Sequence, residues 1–321
     1  MTIFAGFTIS FFITFFTIPT IRKYFSNRGI VDKPDFRSQH LKPIVRVGGI
    51  SIFISFIITF LIVSSLGLIN LSGTFGISFF TFVAVAATLI FIVGLIDDLI
   101  NLSPFLRLFF QFSTASLLYA GNIRIEFIQI PYFNRIDFPT FLSYLITVVW
   151  IVGVTNSINW LDGIDGLTAG IIFLYTFALT GYNIFNQEPN LAIFSAIIAG
   201  SCISFIRYNR FPASIIMGDC GSNFLGFVIS ILSIYSFKRV DLGINLIFSF
   251  LFLSVPLLDM FFVIIRRILN QKSPFYPDRY HLHHRLLKNG FNERNTVLII
   301  YSMAFFTSSL SIIFLKFFKL N

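Results

Sequence analysis

The run GISFFTFVAVAATLIFIVGLIDD, Gly76 to Asp98, decides the class of this protein. From Gly76 to Ile96 it holds no charged side chain, and that is the length needed to cross a bilayer core of roughly 30 Å. It then closes on two adjacent carboxylates, Asp97 and Asp98. Continuous apolar runs of this kind recur along the 321 residues, of which 56% are hydrophobic and 12% charged. Mean hydropathy is +0.85. A soluble chain of this size could not bury so much apolar surface. The unbroken Phe, Ile and Leu runs also lack the alternation of a membrane β-barrel. An all-α, polytopic integral membrane protein is therefore expected.

About ten transmembrane helices are predicted, at 3–22, 48–68, 76–95, 105–121, 139–156, 167–183, 191–206, 220–237, 244–265 and 297–316. No positive charge follows Met1, no small-residue cleavage pattern closes the first run, and Arg22-Lys23 comes directly after it. The first run thus reads as an uncleaved helix with an external N-terminus. On that topology seventeen of the 23 Lys and Arg residues fall in or beside the cytoplasmic loops 23–47, 96–104, 157–166, 207–219 and 266–296. This is the positive-inside pattern, and it accounts for the net charge of +9 without nucleic acid as a partner. The external segment 122–138 contains the alternation Ile123-Arg124-Ile125-Glu126-Phe127-Ile128, which allows a small hairpin. Cys202 and Cys220 have no metal-type spacing and imply no disulfide. With no linker and no internal repeat, residues 1–321 read as a single domain.

Four polar interruptions sit at the edges of these apolar runs, all on the predicted cytoplasmic face. Ionisable groups so placed are costly and usually functional. Asp97 and Asp98 repel each other and oppose the helix dipole, so a divalent cation or another positive partner would relieve both. Asn156, Asn159, Asp162 and Asp165 recur every three residues, which on a helical turn lines them along one side; Gly163 and Gly166 let the backbone turn or approach a ligand. Asp219, in Met217-Gly218-Asp219-Cys220-Gly221-Ser222, is either a cation ligand or an ordinary N-cap, with Ser222 able to cap the helix that follows. His281, His283 and His284 share a basic loop with Asp278, Arg279 and Arg285. Phosphate binding or proton transfer suits them better than zinc, since no cysteine stands near. The first loop, with Lys33, Asp35, His40 and Arg46-Val47-Gly48-Gly49, is a second basic cluster. Asp259 stands alone as the deepest acid, in a packing or capping role near Pro256. Together the inventory suggests hard-cation chemistry on phosphates.

The ordered set Asp-Lys-Pro…His…Arg-Val-Gly-Gly, Gly-Leu-Ile-Asp-Asp, Asn-x-x-Asn-x-x-Asp-Gly-x-Asp-Gly-Leu, Met-Gly-Asp-x-Gly-Ser and Pro-Asp-x-x-His-x-His-His-Arg-Leu spans most of the chain. It resembles the polyprenyl-phosphate N-acetylhexosamine-1-phosphate transferase family. The resemblance implies a bacterial inner-membrane, multi-pass enzyme. In it, undecaprenyl phosphate attacks a UDP-N-acetyl sugar with Mg²⁺ (Mn²⁺ an allowed substitute), releasing UMP and starting a cell-envelope polysaccharide. It further implies Asp219 as metal ligand with Asp98 assisting, and Asp97 and Asp98 at the lipid phosphate. Asn156, Asn159, Asp162 and Asp165 would line the nucleotide pocket, and the three histidines would lie near the phosphates. Lys33, Asp35, His40 and Arg279 complete the implied substrate contacts. Membrane lipids are the other partners, with a homodimer allowed. Two departures bear on the branch: Asn101 stands where some relatives carry a third Asp, and the motif reads His-x-His-His. The latter favours UDP-N-acetylglucosamine over the muramoyl-pentapeptide donor of peptidoglycan synthesis. A cation-coupled transporter is the remaining alternative and predicts charges and broken helices at mid-membrane.

Overall fold

The computed structural model describes residues 1–32, 43–69, 77–128, 135–237, 245–276 and 278–319. Among these it forms twelve helices: α1 (Thr2–Asn27), α2 (Gly49–Ser65), α3 (Ile77–Ile100), α4 (Pro104–Ala120), α5 (Thr140–Leu161), α6 (Leu167–Phe185), α7 (Pro189–Asn209), α8 (Gly218–Phe237), α9 (Asn245–Phe252), α10 (Ser254–Leu269), α11 (Leu282–Lys288) and α12 (Glu293–Lys319). A two-stranded antiparallel hairpin, β1 (Phe127–Ile128) and β2 (Ile136–Asp137), lies in the alternating segment. Seven helices are long and apolar enough to cross a membrane, or eight if α9 and α10 form one bent span. The protein is an all-helical polytopic membrane protein.

The buried centre is α8, packed against α2, α3, α5 and α6, whereas α1 and α12 are largely peripheral. Small residues let the neighbours close in, as is usual between membrane helices. A Cβ on Gly49 of α2 would run into the Gly221 backbone of α8, and a Cβ on Gly94 of α3 would lie 2.6 Å from the Asp219 carbonyl oxygen. Gly48 and Gly49 donate their N–H groups to Ile216 O (2.9 Å) and Met217 O (2.8 Å), which fastens the start of α2 to the start of α8.

Four expectations need correction. Helix α3 does not stop at 95 but continues through Asp97 and Asp98 to Ile100, followed by Asn101, whose φ of 55° is one that Asn tolerates better than most residues. Helix α5 extends to Leu161, so Asn156 and Asn159 are helical and only Asp162 and Asp165 lie beyond it. The ninth predicted span is broken, with an 84° bend between α9 and α10. Pro256 is the cause: it has no N–H for the Phe252 carbonyl, but a proline is tolerated in the first turn of the new helix. Ser222 does not cap α8, because the helix already begins at Gly218 and the Ser222 hydroxyl donates back to Gly218 O at 3.0 Å.

Candidate active site

Three carboxylates meet where the C-terminal end of α3 faces the N-terminus of α8. Asp98 is fully enclosed; its Oδ1 accepts from Asp219 N (2.8 Å) and its Oδ2 from Cys220 N (2.9 Å). A helix N-terminus leaves its first N–H groups without partners and carries partial positive charge, so a carboxylate from another helix meets both needs. Gly218, at φ 77°, makes the turn; a Cβ there would run into Arg46 O and the Asp98 carboxylate. Asp97 Oδ1 accepts from Leu102 N at 2.7 Å, and its Oδ2 pairs with Arg107 Nη1 at 2.9 Å. Asp219 remains the most open of the three, its side chain 16% exposed. Its Oδ1 accepts from Asn159 Nδ2 at 2.7 Å, while its Oδ2 lies 3.5 Å from Arg46 Nη2 and 3.8 Å from Arg107 Nη1. Burial works against the Arg46 cation, but Asp219 and Asp98 outweigh it and raise its pKa above the ordinary value.

The four Asn and Asp residues predicted along one side go to four different places. Asn159 braces Asp219 and also donates to Ser222 Oγ at 2.9 Å. Asn156 lies deeper, donating to Gln111 Oε1 at 2.6 Å, and Gln111 in turn donates to Asn223 Oδ1 at 3.3 Å. Asp162, half-buried just past α5, is pushed up to about 7 chiefly by desolvation, with Asp219 adding to the rise and Arg46 opposing it. Asp165 turns away to accept from Ala213 N at 2.8 Å. Gly166, also left-handed, is clamped from both sides: its N–H donates to Asn209 Oδ1 (3.0 Å), and Tyr301 donates to its carbonyl (2.6 Å).

The histidines reach this loop from α11. His281 Nδ1 and Asp259 Oδ2 are 2.9 Å apart, and Asp259 Oδ1 accepts from Leu282 N at 2.7 Å. Asp259 thus does not stand alone, which corrects its sequence reading. The His281 ring stands edge-on to Trp160 (centroids 5.8 Å apart) and parallel to His283 at 5.8 Å. Gly163 lies against His283, where a Cβ would run into the ring. Burial, then the neighbouring His284 and His281, holds His283 well below the usual imidazole range and neutral. His284 is lowered too, by desolvation first and then by His281 and Arg279. Arg267 pairs with Asp278 at 2.9 Å and lies over the Trp160 ring, fixing the loop that leads into α11; although burial opposes it, Arg267 holds Asp278 below its ordinary value. Arg279 is exposed beside this group. Lys33, Asp35 and His40 lie outside the described residues.

Arg107, Gln111, Asp259, Asn209 and Tyr301 complete the arrangement without being legible as site residues. Arg107 and Asp259 did carry a signal, each being a charge inside an apolar helix. Among the described residues no three His, Cys, Asp or Glu side chains are grouped as a closed metal cage. The donor chemistry nevertheless fits Mg²⁺, which takes one or two carboxylates with substrate phosphates and water. Asp219 offers the open oxygen, and Asp97 flanks the same arginine.

The glycosyl transferase family 4 model matches residues 80–237. A probable undecaprenyl-phosphate N-acetylglucosaminyl 1-phosphate transferase of Bacillus subtilis is 34% identical over 310 residues, 96% of this chain and 84% of that protein. The chain belongs to glycosyl transferase family 4. A decaprenyl-phosphate N-acetylglucosaminephosphotransferase of Mycobacterium tuberculosis is 30% identical, covering 90% of this chain and 76% of the relative. An undecaprenyl-phosphate alpha-N-acetylglucosaminyl 1-phosphate transferase of Escherichia coli is 27% identical, covering 94% and 82%. Family membership makes the carboxylate cluster, which lies at the two ends of the matched region, a candidate transferase site.

Proposed function

We propose that this protein transfers N-acetylglucosamine-1-phosphate from UDP-N-acetylglucosamine to a polyprenyl phosphate, initiating a cell-envelope polysaccharide at the bacterial inner membrane. A lipid phosphate oxygen attacks the sugar-linked phosphorus, the bridging P–O bond breaks, and UMP leaves with the electron pair. One observation carries the reading: Asp97, Asp98, Asp219, Asn159, Arg46 and Arg107 converge at one end of the bundle. Bringing two phosphates together is opposed by charge, and such a reaction is catalysed mainly by positioning and electrostatic stabilisation.

Asp219 is the metal ligand in this reading, and Asp98 serves it by holding the start of α8 in place. Mg²⁺, when bound, supplies charge neutralisation on the phosphate oxygens. Asp97 and Arg107 act together at the lipid phosphate, where Arg107 binds and Asp97 orients it. Asn159, Asp162 and Asp165 shape the nucleotide loop, and Asn156 supports it from below. The histidines face the diphosphate, His281 oriented by Asp259. An apolar groove of about 740 Å³ between α5 and α9–α10, walled by residues such as Val149, Phe250 and Phe261, suits the polyprenyl chain.

The same convergence supports a reading of ten crossings, and the positive-inside charge bias supports an external N-terminus and a cytoplasmic site. The site lies at the start of α2 and α8 and at the end of α3 and α5. Alternating antiparallel helices satisfy that only if α4 also crosses, and the return of α11 to the same end, with His283 against Gly163, requires α9–α10 to count once. Residues 1–321 then act as one transferase domain. The break at Leu253 supplies the discontinuous helix of a transporter, but Phe252-Leu253-Ser254 carries no ionisable group for an ion to use. Purified protein given Mg²⁺, undecaprenyl phosphate and radiolabelled UDP-N-acetylglucosamine should yield labelled lipid and UMP. Absence of product with every UDP-N-acetylhexosamine overturns the assignment.

A further inference from the structure

A second cavity, of about 360 Å³, lies between α10, α11 and α12. Its α10 wall is a single helical stripe, Val255, Leu258-Asp259, Phe262-Val263 and Arg266, advancing by threes and fours along one face. Met303 and Thr307, one turn apart on α12, form the opposite wall. Ser254 and Arg266 both line the cavity, and twelve residues at 1.5 Å each place them about 18 Å apart along α10. The cavity therefore extends inward over more than half of a roughly 30 Å hydrocarbon core. Leu258, Phe262 and Met303 are 39%, 59% and 41% exposed, so its interior is open to lipid.

The two ends differ in chemistry. The mouth holds two exposed cations: Arg285 of α11, and Arg266, whose guanidinium rests 3.0 Å from the Tyr280 ring centroid. Neither forms an ion pair among the described residues. Asp259 lines the wall, but both its oxygens are engaged by His281 and Leu282 N. At the inner end the Ser254 hydroxyl is buried without a partner. Two guanidinium groups at the rim of an apolar cleft leave positive charge that a phosphate would offset, and basic pockets between membrane helices recruit anionic head groups in this way.

We propose that this cleft binds an anionic phospholipid, its phosphate between Arg266 and Arg285 and one acyl chain along the α10 stripe. The cleft adjoins the α5-facing groove at Leu258, which lines both, but the rest of that groove's α10 wall is the neighbouring face at Leu257, Met260, Phe261 and Ile264. A soluble phosphate would find the two cations but leave the cleft unfilled.

Native mass spectrometry of the delipidated full-length protein in mild detergent tests this. Phosphatidylglycerol is added against excess phosphatidylcholine, with glycerol phosphate as the soluble competitor. One retained phosphatidylglycerol is expected, with phosphatidylcholine at least tenfold weaker and no competition from glycerol phosphate. The double variant Arg266→Gln, Arg285→Gln should weaken retention at least tenfold. Met303→Trp should do the same by filling the cleft while both cations stay; should the double variant misfold on circular dichroism, this one decides. Equal retention of both lipids, unchanged retention in a folded variant, or full competition by glycerol phosphate overturns the proposal. The readout is binding, so it is independent of the transferase assignment.

Discussion

The side chains of Asp98 and His283 are both hidden, yet their polar atoms fare very differently. Each Asp98 oxygen accepts a backbone N–H from α8, and Arg46 stands 3.5 Å away. Neither ring nitrogen of His283 has a partner among the described residues. The carboxylate end is thus cross-braced between helices, while the histidine end is held by stacking, by Gly163, by Asp259 and by the Asp278–Arg267 pair at the loop before it. Buried polar groups that are fully paired rigidify a site, whereas unpaired ones are costly unless something arrives to meet them. The difference separates a pre-braced carboxylate platform from a histidine flank whose buried ring nitrogens still lack partners.

The largest effect should come from the platform's open group. Asp219→Asn keeps the Asn159 contact but removes the charge facing Arg46 and Arg107, so kcat should fall at least ~100-fold with the melting temperature retained. Transfer of radiolabel to lipid, run beside a thermal melt, checks both halves. Asp98→Asn should show the opposite balance. Its amide can accept from only one of the two α8 N–H groups and turns an NH₂ toward the other, a loss of about 1–3 kcal/mol. A clear drop in melting temperature is expected together with the activity loss; a variant as stable as wild type would show that Asp98 does not brace α8.

Much of this platform was legible because bilayer thickness dictates run length. Every predicted span overlaps a helix, or the bent α9–α10 pair. Paired carboxylates at the end of an apolar run are equally conspicuous, since they are costly without partners. What could not be read was pairing across the chain. That Asp98 caps α8 depends on α3 meeting α8 end-on, 121 residues away in sequence. Asp259 reads as a lone acid because its histidine lies 22 residues further on, in a loop whose short helix α11 has no apolar run to announce it. Pro256 was visible, but a proline in an apolar run can kink, break or begin a helix, and only packing decides which.

Asp259 therefore gives the sharper test of the histidine end. Asp259→Asn should cost about 10- to 100-fold in kcat, the range for losing a group that orients a functional histidine, with KM for the sugar nucleotide little changed. A matching rise in KM would instead mean that the acid shapes the nucleotide loop through Gly163. An unaltered kcat would show that stacking alone places His281.

The smallest effect concerns His283 itself, and its sign follows from burial. The folded protein keeps this ring neutral, its pKa lying well below the ordinary value of about 6.5 that the unfolded chain restores. Below that pH the unfolded chain binds a proton that the folded one refuses. Stability due to the neutral ring is thus present above about pH 6.5 and is lost on acidification, by up to ~1.4 kcal/mol per pH unit. Melting temperatures in detergent between pH 7.5 and 5 should therefore fall more steeply for the wild type than for His283→Gln, which cannot titrate. Carboxylates contribute to the slope in both proteins and cancel in the comparison. Parallel curves would mean that His283 gains a proton partner in the folded state, and the contrast between the two ends of the site would then disappear.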